Sequence, residues 1–423
     1  MRHAALLFLV TLAQAQTPAG RWISDYKYFD QDNYARMELE LNGDKLTGKV
    51  GGDALEGTFV NGNIDATVRA NPKKTYKLQA HFDGERITGT AIILEWRAEY
   101  KWEAVRDSLT SAHPKTHIFE PVNFHHHFSG AIAPALRINS GDTVRTWTVD
   151  ASGADSKGTR ITAGGNPLTG PFYVEGALPG DTLVVHFTKI RLNRDTASSS
   201  WPIAGSALTP DYVASRRKVD NYNSDWKIDR GAGSAMLQKP TERLKNYKVP
   251  LAPMLGCVGV APPGQNQYRS SNLGVFGGNL DYNKLREGVT VYLPVFSPGA
   301  LLFVGDGHAA QGAGELTGDA LETSMDIEFS VELRLGKSIP APRFENAEYL
   351  MASGIAGSLD DAFKGATTNL SLWLEKMYGL DPAEVSSVLG TAIVYEIAEV
   401  VDPQIHVVAK VPKLLLAALK VVE

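Results

Sequence analysis

The sequence predicts a β-rich α+β protein in two parts: a small antiparallel β-sandwich or barrel, then a larger β-sandwich domain with C-terminal helices. Three observations carry this. Glycine and proline are abundant, 40 and 22 among 423 residues, and they cut the chain into short apolar or β-branched runs, as tight turns between strands require. A hairpin-turn motif occurs twice in the first hundred residues. Near the C-terminus the apolar residues recur at helical spacing instead.

The length allows two or three domains, each able to bury a real core, at roughly 100–200 residues per domain. The 42 basic and 47 acidic residues leave a net charge of -5. There is no polybasic footprint, which argues against a nucleic-acid partner. One cysteine, Cys257, rules out an intramolecular disulfide.

Taken in order, Arg2 and His3 precede an apolar run over residues 4–12, and Ala13-Gln14-Ala15 supplies small residues for cleavage. Residues 1–15 therefore read as an export signal, and the expected location is periplasmic or secreted. The run is far short of the roughly 20 apolar residues that span a bilayer, and no later stretch predicts a membrane span.

Residues 20–106 form the first module. Asn42-Gly43-Asp44-Lys45-Leu46-Thr47-Gly48 is echoed by Asp83-Gly84-Glu85-Arg86-Ile87-Thr88-Gly89. Asn-Gly and Asp-Gly supply the positive φ angles of hairpin turns, so each copy joins antiparallel strands. Arg36-Met37-Glu38-Leu39-Glu40-Leu41 alternates apolar and charged side chains, the period of a half-buried strand. Trp22, Trp96 and Trp102 are expected to fill one core. The module resembles the lipocalin-like units appended to secreted enzymes, and it carries no catalytic cluster.

A linker rich in Ser, Thr and Pro covers residues 107–115. The larger domain, 116–423, begins with strand-like pieces up to about residue 340, among them 182–188, 289–296 and 300–304. Then Leu359, Phe363, Ala366, Leu370, Leu374 and Met377 recur at helical spacing, with Gly379 placed as a C-cap. Asp381-Pro382-Ala383-Glu384 combines an N-cap acid, a first-turn proline and a capping-box Glu. The helix that follows carries Val385, Val388, Leu389, Ala392, Ile393 and Ile397 on its buried side.

The stretch richest in chemistry is Gly305-Asp306-Gly307-His308-Ala309-Ala310-Gln311-Gly312-Ala313-Gly314-Glu315. It follows the apolar run 300–304. If the backbone stays extended, Asp306 and His308 are two apart and share a face. A carboxylate and an imidazole at a strand end bind a divalent cation or share a proton. Glu315 and Glu322 follow closely enough to close the site. An Asp-Gly-His run also reads as a plain turn.

Gly305 to Glu315, Asn166-Pro167-Leu168-Thr169-Gly170-Pro171-Phe172-Tyr173-Val174-Glu175-Gly176-Ala177-Leu178-Pro179-Gly180-Asp181 and Gly277-Gly278-Asn279-Leu280-Asp281 together resemble the acetamidase/formamidase family. Ser140-Gly141-Asp142-Thr143-Val144 and Val401-Asp402-Pro403 match further family landmarks in order. The resemblance covers residues 121–413. It implies hydrolysis of a small carboxamide to a carboxylate and ammonia, on a β-rich fold that usually forms homo-oligomers. The family commonly has an acid where this chain has Ala313, and often a Glu where it has Trp147.

Other candidates are weighed on their residues. His125 and His127, two apart, share one face of a strand and so one pocket, or belong to a surface His patch. Asp150 fits a ligand or base, or a turn cap. Glu175 orients a neighbour or forms a salt bridge. Asn279 and Asp281 hydrogen-bond an amide, or brace a Gly-rich turn. Cys257 lies in an apolar segment and reads as core. No Gly-x-Ser-x-Gly elbow occurs, and Ser198-Ser199-Ser200 has no adjacent lysine.

Without a nucleophile, the expected chemistry is metal-assisted hydrolysis. Its catalytic residues are Asp306, His308, Glu315 and Glu322. Asn279, Asp281 and Glu175 bind substrate. His127, Asp150, Asp306 and His308 hold a divalent metal, zinc ahead of calcium or magnesium. The alternatives are a secreted small-molecule or carbohydrate-binding protein on the same scaffold, and hydrolysis of another C–N bond.

Overall fold

A computed structural model describes residues 17–28, 31–71, 74–95, 97–107, 113–220 and 222–422. The export signal over 1–15, Trp96 and part of the linker lie outside the described residues. The chain divides into two compact units, Met1–Thr110 and Ser111–Glu423.

The first unit is a closed barrel of eight antiparallel strands taken in chain order, from Gly20–Tyr28 to Ala98–Arg106. Pairing of Trp22 with Arg106 and Tyr26 with Trp102 joins the last strand to the first. Closure leaves no sheet edge. The echoed motif explains two of its hairpins. Gly43 and Gly84 take positive φ at the turns, while Gly48 and Gly89 lie where a Cβ would collide with the neighbouring backbone at Glu38 and Gln79. The second of each echoed glycine pair is thus there for strand approach. Met37 and Leu39 point inward with Trp22, Leu46, Ile64, Ile87 and Trp102, all buried. The Trp22 Nε1 donates to the Pro18 carbonyl at 2.8 Å, so the large ring is buried with its polar atom satisfied.

The second unit is built on two sheets with a core between them. One has nine strands, in the order Val394–Glu399, Ile405–Pro412, Tyr349–Ala356, Arg343–Glu345, Thr290–Pro294, Thr182–Leu192, Met325–Arg334, Thr143–Thr148 and Thr116–Ile118. The other has six: Leu136–Ile138, Leu168–Val174, Leu302–His308, Met254–Gly259, Gly277–Asn279 and Leu273–Gly274. Period-two alternation sorts the side chains of Thr182–Leu192. Leu183, Val185 and Phe187 enter the inter-sheet core, where Phe329 meets Phe172 and Phe187 edge-on or tilted. Val184 faces the opposite way, toward the helices.

The helix Leu359–Tyr378 covers that outer face through Ala362, Ala366, Leu370, Trp373 and Leu374. Ser358 caps it, accepting from the Asp361 N–H, and Gly379 ends it at φ 67°. The second helix, Pro382–Ala392, has the capping box read at Asp381 and Glu384. It stops before the expected Ile397. Ile393 is extended, and Val394–Glu399 becomes an edge strand on Ile405–Pro412. The β-branched Ile393 and Val394 favour that change. The apolar run 300–304 likewise becomes strand only from Leu302, because Ala300 and Leu301 take left-handed φ in a turn. A four-stranded sheet of Thr196–Ser198, Asp225–Asp229, Ser234–Leu237 and Val249–Pro250 and a two-stranded one of His127–Ser129 and Gln267–Arg269 also belong to the unit. Among the described residues, no helix is long and apolar enough to cross a membrane.

Candidate active site

Leu302–His308 is a fully buried strand of the six-stranded sheet, and its C-terminal end carries Asp306 and His308. Met254–Gly259 lies beside it and puts Cys257 opposite Gly305; the next strand puts Asn279 opposite Cys257. Asp281 follows directly. On the other side, a backbone bridge joins His308 to Glu322. Four segments thus deliver polar side chains to one buried point. Gly256 is required there: a Cβ would collide with the carboxylates of Asp281 and Asp306.

The His308 Nε2 stands 3.1 Å from Glu322 Oε1 and 3.4 Å from Asp306 Oδ1, and its Nδ1 is 3.9 Å from Asp281 Oδ1. Gln311 orients the ring. Its amide nitrogen donates to the Asp281 carbonyl at 2.5 Å, which leaves Oε1 to accept from His308 Nδ1 at 2.9 Å. With Nδ1 donating, Nε2 faces the two carboxylates. Asp281, His308 and Glu315 form one group with metal-ligand spacing; Asp306, His308 and Glu322 form another. Four atoms of this cluster, Asp281 Oδ1, Asp306 Oδ1, His308 Nε2 and Glu322 Oε2, are buried and form no hydrogen bond. Orphaned buried polar atoms are costly, so their convergence marks a place built for a bound group.

A network of amides and acids surrounds the point. Asn166 donates to Asp306 Oδ2 at 3.1 Å and to Asn279 Oδ1 at 3.2 Å. Asn279 donates to Asp281 and, at 2.7 Å, to Asp402. The Cys257 thiol donates to Asn279 Oδ1 at 2.7 Å. Asn166, Asp281, Asp306 and Glu315 all hold left-handed φ, at 53°, 39°, 57° and 44°. Such strain persists where the surroundings over-determine it, and it clusters at functional sites.

Electrostatically the cluster is acid-rich. Among the described residues no lysine or arginine pairs with its carboxylates. Burial, followed by the charges of Glu315 and Asp306, holds Asp281 well above the usual carboxylate range. Burial likewise raises Glu322, against the pull of His308. Burial lifts Glu315 to about 7, Asp402 to about 6 and Glu399 to about 8. For His308 burial works downward, yet the carboxylates of Glu322 and Asp306 outweigh it and hold the imidazole well above its ordinary value. Burial pushes the Cys257 thiol up, so it is a hydrogen-bond donor and not a nucleophile.

Asp306, His308, Glu315, Glu322, Asn279 and Asp281 come together as one group. The remaining predicted residues lie elsewhere. Asp150 is buried in a salt bridge with Arg194 at 2.6 Å and accepts from the backbone of Ser152 and Ala154. Glu175 pairs bidentately with Arg137, at 2.5 and 3.0 Å. His127 is half-buried in a short strand opposite Arg269, and His125 bridges to Leu168. Asn166, Gln311 and Asp402 carried no predicted role. All three sit inside the recognised motifs, which was the available signal.

Comparison with known proteins bears on the same unit. Residues 269–415 match the model of the Acetamidase/Formamidase family. A curated protein of Schizosaccharomyces pombe named as a formamidase is 27% identical over 257 residues, 47% of this chain; the chain spans 61% of that relative's own length. A solved structure of a predicted acetamidase/formamidase from Thermoanaerobacter tengcongensis is 28% identical, with a TM-score of 0.62, covering 73% of this chain and 99% of its own. An acetamidase structure from Yersinia enterocolitica gives the same identity and TM-score over 74% of this chain and 96% of its own. Family model, curated relative and solved structures point the same way: the unit from residue 111 onward is similar to proteins of the acetamidase/formamidase family.

Proposed function

We propose that the second unit is an amidase, adding water across the C–N bond of a carboxamide to release a carboxylate and ammonia. The carrying observation is the convergence of His308, Asp306, Glu322 and Asp281 on one buried point with orphaned atoms turned inward. The relatives' names support the reaction class.

The donor set fits a divalent cation. His308 with Asp306 and Glu322 would hold it, and Asp281 with Glu315 offers the second group. One imidazole among carboxylates favours zinc over calcium or magnesium. A cation held there supplies Lewis acidity toward the amide carbonyl and acidifies water. The chain's own residues do the rest. Gln311 fixes the imidazole. Asn166 and Asn279 hold Asp306 and Asp281 in place. Glu315 borders the adjoining cleft, where its carboxyl hands a proton to the departing nitrogen.

Purified protein stripped of divalent ions by a chelator should lose ammonia release from amides and regain it with zinc. Full activity after stripping would remove the metal from this reading. Absence of ammonia from every amide tried would return the chain to the binding-protein alternative.

The first unit we read as a lipocalin-like module, from its closed barrel of eight strands. Residues 1–15 direct export to the periplasm or medium, and the native state is a homo-oligomer, both readings resting on sequence pattern and resemblance. Appearance of the full chain in the periplasm, lost on deleting 1–15, tests the first; light scattering tests the second.

A further inference from the structure

Glu315, from the edge of the buried cluster, lines a cleft of about 980 Å³. On the side of the buried cluster it is lined by Gln311 and Glu315, with Asp319 and Arg286; the rest of its lining includes Trp201, Ile203, Tyr222, Trp226, Tyr247 and Leu316. That volume lies at the upper end of the roughly 300–1,000 Å³ typical of clefts for drug-sized ligands. A formamide or acetamide molecule fills a small part of it.

The walls are aromatic by construction. Trp201 and Tyr222 meet edge-on at 5.8 Å, and Trp226 meets Tyr247 at 6.4 Å. The Trp226 Nε1 donates to Ser199 Oγ at 2.9 Å, which fixes the indole face. Trp201, Ile203, Tyr247 and Leu316 are exposed large hydrophobics, all gathered in this one cleft. Exposed apolar side chains scattered singly need no explanation, but a contiguous group marks a binding surface. Ala313 adds to this. Its methyl side chain keeps the lining beside Glu315 small, with Asp319 and Arg286 as the other charged groups of the cleft.

The wall is also attached to the site. Ser198 and Glu322 exchange backbone hydrogen bonds at 3.2 and 2.8 Å, and Ser200 donates to Asp319. The chain leading to Trp201 is thereby held beside the carboxylates.

We infer that this cleft seats the acyl group of the substrate and that this group carries an apolar aromatic ring. The inference rests on the amidase reading. Because the leaving group there is ammonia, the bulk of the substrate belongs on the acyl side. Water adds to the carbonyl carbon, the C–N bond breaks, and the ring remains on the carboxylate product.

The test compares kcat/KM for acetamide and hydrocinnamamide by ammonia release, with calorimetric binding of the non-hydrolysable hydrocinnamyl alcohol. Native protein should favour hydrocinnamamide by about 10-fold or more and bind the alcohol saturably. Trp201→Ala and Tyr247→Ala, both at exposed positions, should each lower the hydrocinnamamide-to-acetamide ratio about 10-fold and weaken alcohol binding. Equal kcat/KM for the two amides, untouched by either substitution, would overturn the inference and leave amide hydrolysis standing. No ammonia from either amide, with the alcohol still bound, would overturn the hydrolase reading and keep the cleft's preference for an apolar ring. A changed elution volume in Trp201→Ala, with an unchanged ratio, would make this face a contact between copies and end the proposal.

Discussion

The imidazole of His308 and the carboxylate of Glu322 face each other at 3.1 Å across a backbone bridge that joins the same two residues. The pairing is therefore set by main chain as well as by side chain. Glu322→Gln keeps the shape and removes the charge. It should lower kcat for amide hydrolysis about 10²–10⁴-fold and reduce bound divalent metal on elemental analysis. The melting temperature of metal-free protein should change little, because burial already favours the uncharged Glu322 carboxyl in the folded state. Undiminished kcat would take Glu322 out of the chemistry.

Gly256 offers a steric probe of the same point. Gly256→Ala drives a methyl group into the Asp281 and Asp306 carboxylates. Overpacking of this kind costs about 1–3 kcal/mol, and here it also displaces two acids. Thermal melts should fall and ammonia release should collapse. Gly312→Ala, where a Cβ meets nothing within 4 Å, should leave the melting temperature near wild type. Equal melts for the two variants would contradict the crowding described.

Acid sensitivity should trace in part to His406. The ring is fully buried, its Nδ1 donating to the Leu280 carbonyl at 2.7 Å and its Nε2 accepting from the Ser353 hydroxyl at 2.9 Å. Burial pushes its pKa down to about 4, against the Leu280 hydrogen bond. An unfolded histidine titrates near pH 6.5. Between those values the unfolded chain binds a proton that the folded chain refuses. This contribution is fully present above pH 6.5 and is lost as pH falls toward 4, by up to about 3 kcal/mol. Raised acids such as Glu315 and Glu399 work oppositely, their contribution fading as pH rises through about 7 and 8. The measurement is therefore a difference: urea melts of wild type and His406→Gln from pH 4.5 to 7. Parallel pH profiles would rule His406 out.

Asp150 should prove to be a stability residue. Asp150→Asn breaks its buried bridge to Arg194 and leaves that guanidinium without its carboxylate. Loss of one partner from a buried pair typically costs about 3–5 kcal/mol. Metal content per folded chain should match wild type. A metal-deficient but thermally unchanged variant would point the other way.

These contrasts show what a linear sequence reveals. Asp306 and His308 were legible because both close a buried strand, although Asp306 leaves extended geometry at φ 57°. Asn279 and Asp281 share no strand: Asp281 lies past Gly277–Asn279 with φ 39°, and the Asn279 amide donates to it there. The echoed Asn-Gly and Asp-Gly turns announced hairpins because so few residues tolerate their backbone angles. Asp150 looked like a ligand because its partner, Arg194, is 44 residues away, and nothing local signals the pair. Glu175 and Arg137 repeat that pattern. Gln311 sat inside the most informative motif, yet its role depends on the Asp281 carbonyl, which reaches it from the segment after Gly277–Asn279, 30 residues away. The helix after Pro382 was read too long because apolar residues continue past Ala392 into a strand, and short runs do not separate the two periods.

The left-handed backbones of Asp281, Asp306 and Glu315 bring an evolutionary cost. Each holds an L-residue where glycine would rest more easily, at about 1–2 kcal/mol apiece. Selection for heat resistance alone would reward replacing these three acids and dismantle the centre that they form. Thermal robustness and turnover are set against each other at these positions, so any hardening of this protein has to come from the barrel, the helices or the linker.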